Sequence, residues 1–269
     1  MSATLENHDR TEIESLDFLD FCTLGDRSPE KQWRELRSAI VPLLRRYPYF
    51  VLVKRLPISE DGKSVRRLSM ALGQFHPDFG WLALVKGRLR KEDIARVAID
   101  ENLPRRSASA SAMAPHTDGA FLQRPHDIIM FQCVVADTSG GESILLPIDD
   151  ILGALTQREL GHLKEQVFPF GSETASILTG QGEDRNFRYY GTHMERSSRK
   201  RDIVLPQEID TTIKKLDQIL DHSNSRIKYK MAPEDILILN NKKVLHGRTA
   251  LTEQSNRLLV RSRIFSEHV

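Results

Sequence analysis

The stretch Pro115-His116-Thr117-Asp118-Gly119-Ala120-Phe121 decides how this chain is read. It places an imidazole and a carboxylate two residues apart, directly before an apolar run, Asp127 to Val135, that reads as a buried strand. Along an extended backbone residues i and i+2 project to the same side, so His116 and Asp118 can reach one metal ion. A second imidazole arriving from far along the chain would complete two histidines and a carboxylate on one face of an octahedron. Such a set leaves positions open and is diagnostic of non-haem Fe(II) oxygenases. His246, in Lys243-Val244-Leu245-His246-Gly247-Arg248-Thr249, is the candidate for that ligand.

Nine histidines and 37 acidic residues make a His-x-acid triplet easy to meet by chance, and the chain has three: His76-Pro77-Asp78, His116-Thr117-Asp118 and His193-Met194-Glu195. Context separates them. Pro77 has no N–H and sits poorly inside a strand. His193 lies just before Arg196-Ser197-Ser198-Arg199-Lys200-Arg201, which reads as a solvated loop. Only His116 has a strand-like apolar run behind it, and a Gly-Gly pair, Gly140-Gly141, to close that run.

At 269 residues the chain is long enough for one large domain, and all-β barrels of this size are routinely single domains. Hydrophobic residues at 39% and charged residues at 28% describe a globular protein with a polar surface. A formal net charge of +2 gives no footing for nucleic acid or an anionic membrane, and no aromatic residues interleave with the basic cluster at 196–201 as a single-strand groove requires. Two remote cysteines, Cys22 and Cys133, form no disulfide framework and suit a reducing compartment. Met1 to Asp20 is acidic without an apolar core, and no later run has the length of a membrane span, so a cytoplasmic location is expected.

The expected organisation is a polar N-terminal segment over 1–29 and a single domain over 30–269. Trp33, Leu36, Ile40, Leu43 and Leu44 recur at helical spacing within Glu30 to Arg46, with Pro42 as the point where that helix would kink or shorten. Tyr49 to Val53 reads as a strand, and Ser64 to Phe75 as a second helix. Residues 86–112 end in alternating Ser and Ala and read as a loop beside the site, suited to a lid. From Asp127 onward short apolar runs are broken by turn residues: Ile128–Val135, Glu142–Leu146, Gln166–Phe170, Ser176–Leu178, Phe187–Tyr190, Arg226–Met231, Asp235–Leu239 and Arg257–Phe265. Many short strands with regular punctuation mean a sandwich or barrel. Helical inserts interrupt them near 149–164 and 206–220.

The last of these runs carries an arginine cluster. In Asn256-Arg257-Leu258-Leu259-Val260-Arg261-Ser262-Arg263 the odd positions share one face of a strand. Three guanidinium groups on one buried face need anions to pair with them. A small dianionic acid would supply that pairing through the bidentate geometry guanidinium favours.

By these residues the chain resembles the taurine dioxygenase and clavaminate synthase-like (TauD/TfdA) branch of the Fe(II)/2-oxoglutarate oxygenases, which includes carbapenem synthase, an enzyme of similar length. The resemblance follows the order of features over roughly 45–265 and is specific in three blocks. Pro115 to Gly119 is similar to the family's His-x-Asp/Glu motif. Ser139-Gly140-Gly141-Glu142-Ser143 is similar to a Gly-Gly-acid-Thr turn whose hydroxyl helps hold the distal carboxylate of 2-oxoglutarate, with Ser in place of Thr. Asn240 to Arg248, followed by Arg257 and Arg261, resembles the block of the distal His and the co-substrate arginine.

The resemblance implies a mainly β fold with flanking helices, a double-stranded β-helix of the jelly-roll, cupin-like kind. It implies iron bound by His116, Asp118 and His246, and 2-oxoglutarate bound by Arg257 with Ser143 beside it. Arg261 would face either the metal-bound carboxylate or the substrate, and Arg188 falls where the family contacts substrate. Asp118 separates the chain from the related halogenases, in which a small residue vacates that position for chloride. The implied chemistry consumes O2, converts 2-oxoglutarate to succinate and carbon dioxide, and oxidises a C–H bond of a small molecule such as an amino acid or natural-product intermediate. Hydroxylation is the default outcome. Desaturation, cyclisation and epimerisation share the same chemistry, and a non-catalytic barrel that binds a small acid is the rival from another class.

Overall fold

The computed structural model describes residues 13–22, 29–59, 62–75, 78–79, 91–92, 95–99 and 109–269. Ahead of the metal-binding stretch lie β1 (Ser15–Asp17), helix α1 (Pro29–Arg45), β2 (Phe50–Lys54), helix α2 (Lys63–Leu72) and β3 (Gln74–Phe75). A short pair, β4 (Asp78–Phe79) with β5 (Lys91–Glu92), and then β6 (Ala95–Val97) follow. The central strands are β7 (Met113–His116), β8 (Ile128–Val135) and β9 (Ser143–Pro147), and two short helices, α3 (Ile148–Leu152) and α4 (Gln157–Leu163), come next. Two small hairpins, β10 (Phe168–Phe170) with β11 (Glu173–Ala175) and β12 (Leu178–Thr179) with β13 (Asn186–Phe187), precede α5 (Gly191–Arg201) and α6 (Gln207–His222). The chain closes with β14 (Ile227–Tyr229), β15 (Ile236–Asn240), β16 (Val244–Arg248) and β17 (Leu258–Phe265).

These strands form two main sheets. A seven-stranded sheet runs β1-β2-β15-β8-β17-β3, with β6 also on β17, and a four-stranded sheet runs β14-β9-β16-β7. Period-2 alternation sorts their side chains into three layers of core. Ile128 and Met130 of β8, with Val51, Val53, Ile236, Ile238 and Ile264, turn outward onto α1 and α2. Ile129 and Cys133 turn the other way, meeting Leu145 of β9 and Val244 of β16 between the two sheets. Leu146 and Leu245 face the far side, where α3, α4 and α6 cover the small sheet. The result is the jelly-roll sandwich expected from the strand pattern, mostly strands with helices on both outer faces.

Helix α1 runs on through Pro42 to Arg45. The missing N–H falls near the helix end, and packing of the fully or nearly buried Leu43 and Leu44 carries the last turn. The segment 13–22 adds β1 to the large sheet, parallel to β2, and buries Phe18 against Trp33 with ring centroids 5.4 Å apart. Residues 196–201 are a correction: they belong to α5 and are not a loop. That helix has little apolar stripe to betray it. Met194 is its one buried residue, a Glu195–Arg199 ion pair supports it along its surface, and Arg201 donates to the carbonyl of Glu173 at 2.6 Å. Among the described residues no helix is long and apolar enough to cross a membrane.

Candidate metal centre and its arginine cluster

The two distant ligand blocks meet as neighbouring strands. β16 pairs antiparallel with β7, and His246 stands directly opposite His116. The register shifts just after, between His246 and Arg248, as in a β-bulge. Gly247 occupies that irregularity because the β7 backbone passes too close for a side chain: a Cβ there would lie 2.4 Å from the Met113 carbonyl oxygen. Two residues past the end of β7, in the turn that follows it, Asp118 comes back to the side of His116. Thr117 points away, donating its N–H to Tyr189 O at 2.7 Å while its hydroxyl accepts the Tyr189 N–H at 3.1 Å.

His116, Asp118 and His246 are all buried, and one ligand atom of each lies within 4.8 Å of the others. Among the described residues this is the one group of three or more His, Cys, Asp or Glu side chains able to hold a metal ion. His193 sits instead on α5, its ring stacked 5.2 Å from that of Phe121. His76 and Pro77 lie outside the described residues. So does most of the proposed lid. Its last residues are tied down, with Arg248 donating to the carbonyls of Ser109 and Ser111 at 2.7 and 2.6 Å and Leu251 N–H to Ala110 O at 2.8 Å.

The donor set suits a divalent cation. His116 Nδ1 lies 3.0 Å from the Ala114 carbonyl, and as the donor there it leaves Nε2 as a lone pair facing the site. Burial pushes the His116 imidazole below its ordinary range despite the opposing pull of Asp118, and burial with neighbouring His116 pushes His246 well below. Both rings are therefore neutral near pH 7. His246 Nδ1 is buried with no hydrogen-bond partner among the described residues. Burial opposes ionisation of Asp118, but Arg263, Arg261 and the hydrogen bond from His126 outweigh it and hold the carboxyl well below the usual carboxylate range. Two neutral imidazoles and one carboxylate are the protonation states a metal requires.

The arginines are arranged differently from the expectation. Arg257 lies just before β17 begins, and the register shift between Leu258 and Leu259 puts its extra residue, Val134, in β8 and not in the arginine-bearing strand. Arg263 pairs with Asp118 itself, Nε to Oδ2 at 2.5 Å and NH2 to Oδ1 at 3.1 Å, and Arg261 NH1 is 3.6 Å from Oδ1. A protein carboxylate thus supplies much of the counter-charge assigned to a small acid.

Arg257 is the exception. It is only 6% exposed, and among the described residues its guanidinium has no hydrogen-bonded partner. Burial, with the Arg248 charge nearby, pushes it down to about 10. Gly141 lies against it, since a Cβ there would come within 3.0 Å of Arg257 Cδ. Ser143, two residues on, is paired opposite Arg248 on the inner face of the small sheet. Gly141 thus lies against Arg257, and Ser143 of the same turn lies opposite Arg248.

Arg188 is held elsewhere. It donates to Ala120 O at 2.6 Å and Leu122 O at 2.8 Å, pairs with Glu173 at 3.1 Å and lies 4.1 Å over the Phe170 ring. These contacts brace the turn that follows Asp118. Two further residues escaped the sequence reading: His126, whose Nε2 lies 2.8 Å from Asp118 Oδ2, and Asn241, whose side chain joins Asp118 to the distal strand. The pair Asn240-Asn241 ahead of the distal block was the only signal for the second, and nothing in periodicity marks the first.

The family model described as CsiD matches residues 105–265, and that of the taurine catabolism dioxygenase TauD, TfdA family matches residues 25–165. No curated protein matches the chain. Among solved structures, asparagine oxygenase superposes with a TM-score of 0.70 at 16% identity, covering 94% of this chain and 92% of that one. The non-heme iron oxygenase OrfP, in complex with Fe and alpha-ketoglutaric acid, gives 0.64 at 15% identity over 88% and 80%. At such identities the likeness establishes the fold, and the family models carry the assignment: the chain belongs to the TauD, TfdA family of dioxygenases.

Proposed function

We propose that this chain holds Fe(II) at His116, Asp118 and His246 and uses 2-oxoglutarate and O2 to hydroxylate an aliphatic C–H bond of a small molecule, in the first place an amino acid. The observation that carries the reading is the pairing of a buried two-histidine, one-aspartate set with a buried guanidinium, that of Arg257, which has no hydrogen-bonded partner among the described residues. The related structures point the same way. Asparagine oxygenase is known with Fe(II), 3-hydroxyasparagine and succinate, and OrfP with Fe, succinate and (3S)-hydroxy-L-Arg.

In this reading the overall reaction balances as 2-oxoglutarate, O2 and R–H giving succinate, CO2 and R–OH. One oxygen atom enters succinate and the other the new hydroxyl. Iron, when bound, supplies O2 activation at the open positions that a facial triad leaves. The protein's part is electrostatic and geometric. Asp118 lowers the charge of the ion by one and leaves a cationic centre for a dianion. Arg257 pairs with the distal carboxylate of 2-oxoglutarate beside the Ser143 hydroxyl, a bidentate interaction guanidinium makes well. Arg261, whose guanidinium lies 3.6 Å from Asp118, faces the metal side of the cavity and meets either the second carboxylate or the substrate. Arg188 keeps the turn after Asp118 in place, and any direct substrate contact by it would require giving up one of its carbonyl acceptors.

Anaerobic reconstitution with Fe(II), followed by succinate measurement across free and modified amino acids, tests the proposal. Stimulated succinate with a mass gain of one oxygen on the amino acid is the expected result. Stoichiometric 2-oxoglutarate binding without iron-dependent succinate release would favour a binding barrel instead.

A further inference from the structure

The two oxygens of Asp118 are not equivalent. Oδ2 lies 2.8 Å from His126 Nε2 and 2.5 Å from Arg263 Nε, whereas Oδ1 has Arg263 NH2 at 3.1 Å and Arg261 NH1 at 3.6 Å. A carboxylate oxygen has two lone-pair positions, and two close donors fill both on Oδ2. We propose that His126 is a positioning residue for the metal centre: with Arg263 it holds Oδ2 so that Asp118 ligates through Oδ1 alone. One-oxygen ligation keeps a position on the ion that a chelating carboxylate would take. The inference rests on the reading of His116, Asp118 and His246 as a metal site.

The surroundings hold the His126 ring in this role. Its side chain is fully buried. Gly119, at φ +67°, lets the chain cross the ring edge where a Cβ would lie 2.7 Å from His126 Cε1, so there is no room for the imidazole to swing that way. Asn241, also fully buried, accepts the Asp118 N–H at 3.0 Å and donates to the carbonyls of Asp118 and His126 at 3.0 and 2.9 Å. One amide thus fixes the backbones of ligand and positioning residue relative to each other. Asn241 stands at the β15–β16 turn, five residues before His246, so the same unit ties the proximal ligand to the distal one.

Cobalt titration of the apoprotein separates this role from packing. The wild type should bind one Co(II), with a d–d absorption band reporting coordination number. His126→Leu should change the shape and intensity of that band and weaken affinity about ten- to a hundredfold, the usual cost of removing a group that orients a ligand. His126→Gln, whose Nε2–H can reach Oδ2, should restore the wild-type band. Should His126→Leu fail to fold, Arg263→Lys, which keeps the charge but loses one of the two N–H contacts, must alter the band. A wild-type band and affinity in His126→Leu, an unaltered band in Arg263→Lys, or a band altered alike in His126→Leu and His126→Gln, overturns the proposal. Failure of the wild type to bind Co(II) removes the metal-site reading itself.

Discussion

His246 and His116 face each other across the antiparallel pair of β16 and β7, their ring centroids 4.7 Å apart. Cross-strand neighbours are fixed by backbone hydrogen bonds on both sides, so the geometry of the two histidines belongs to the sheet and needs no mobile loop to assemble it. Phe131 of β8 lies 5.4 Å from the His246 ring and Tyr190 lies 4.3 Å from that of His116, walling the pair with aromatic surface.

Because His246 is held by the sheet, truncating it removes a ligand and leaves the frame. His246→Ala should lose stoichiometric Fe(II) binding and drop 2-oxoglutarate turnover by more than about a hundredfold, beyond the range seen for groups that only orient a ligand. Metal analysis and succinate release measure this, and wild-type values for both would take the distal ligand out of the account.

Among the described residues Arg257 is buried with no ion-paired or hydrogen-bonded anion, so the co-substrate should be its partner. Removing one member of such a charge pair costs about 2–5 kcal/mol. Arg257→Ala should therefore raise the KM for 2-oxoglutarate at least about thirtyfold with a much smaller effect on the amino-acid substrate. If Arg261→Ala shows that pattern and Arg257→Ala does not, the carboxylate lies nearer the metal-side arginine.

What the sequence disclosed was whatever depends on local spacing. His116 and Asp118 were readable because strand geometry puts i and i+2 together, and Ile128–Val135 because a long β-branched run has few other uses. Arg257, carried over from a motif, lies beside Gly141. That Arg263 and Arg261 meet the protein's own Asp118 could not be read, because that pairing joins residues far apart in the sequence. α5 was missed because a helix with one buried residue has almost no apolar period to read. His126 and Asn241 acquire their roles only from tertiary contact, and an isolated His or Asn carries no sign of its partner.

Away from the site, the helical insert offers a test of pH dependence. Glu159 closes a capping box with Thr156 and pairs with Lys215 at 2.8 Å, and the Lys215 hydrogen bond, with those from Thr156, holds its carboxyl down at about 2. A carboxylate depressed on folding contributes stability above its unfolded value, and that contribution fades as pH falls toward the folded one. Lys215 is 38% exposed, so solvent screening limits the effect to about 1 kcal/mol. Glu159→Gln should lower Tm by roughly 2–4 °C at pH 7, and the gap to wild type should close between about pH 4.5 and pH 2. A constant gap across that window would mean that the charge plays no part.

Asp118 does two things at once, and its removal should expose both. It is the only anion in the ligand set, and it neutralises Arg263 and Arg261, whose side chains are 13% and 11% exposed. Asp118→Gly should abolish hydroxylation and weaken metal binding. It should also destabilise the apoprotein, because breaking a buried charge pair from one side costs about 3–5 kcal/mol, which for a domain of this size lowers Tm on the order of 10 °C. A small anion can enter the vacated space between the guanidinium groups and His126. Chloride or azide should therefore raise the Tm of metal-free Asp118→Gly well beyond its effect on wild type, and should perturb the Co(II) spectrum of the loaded variant. Thermal melts in chloride against a bulky organic anion at equal ionic strength provide the comparison. An identical salt response in variant and wild type would show that Arg263 and Arg261 do not depend on Asp118 for their counter-charge.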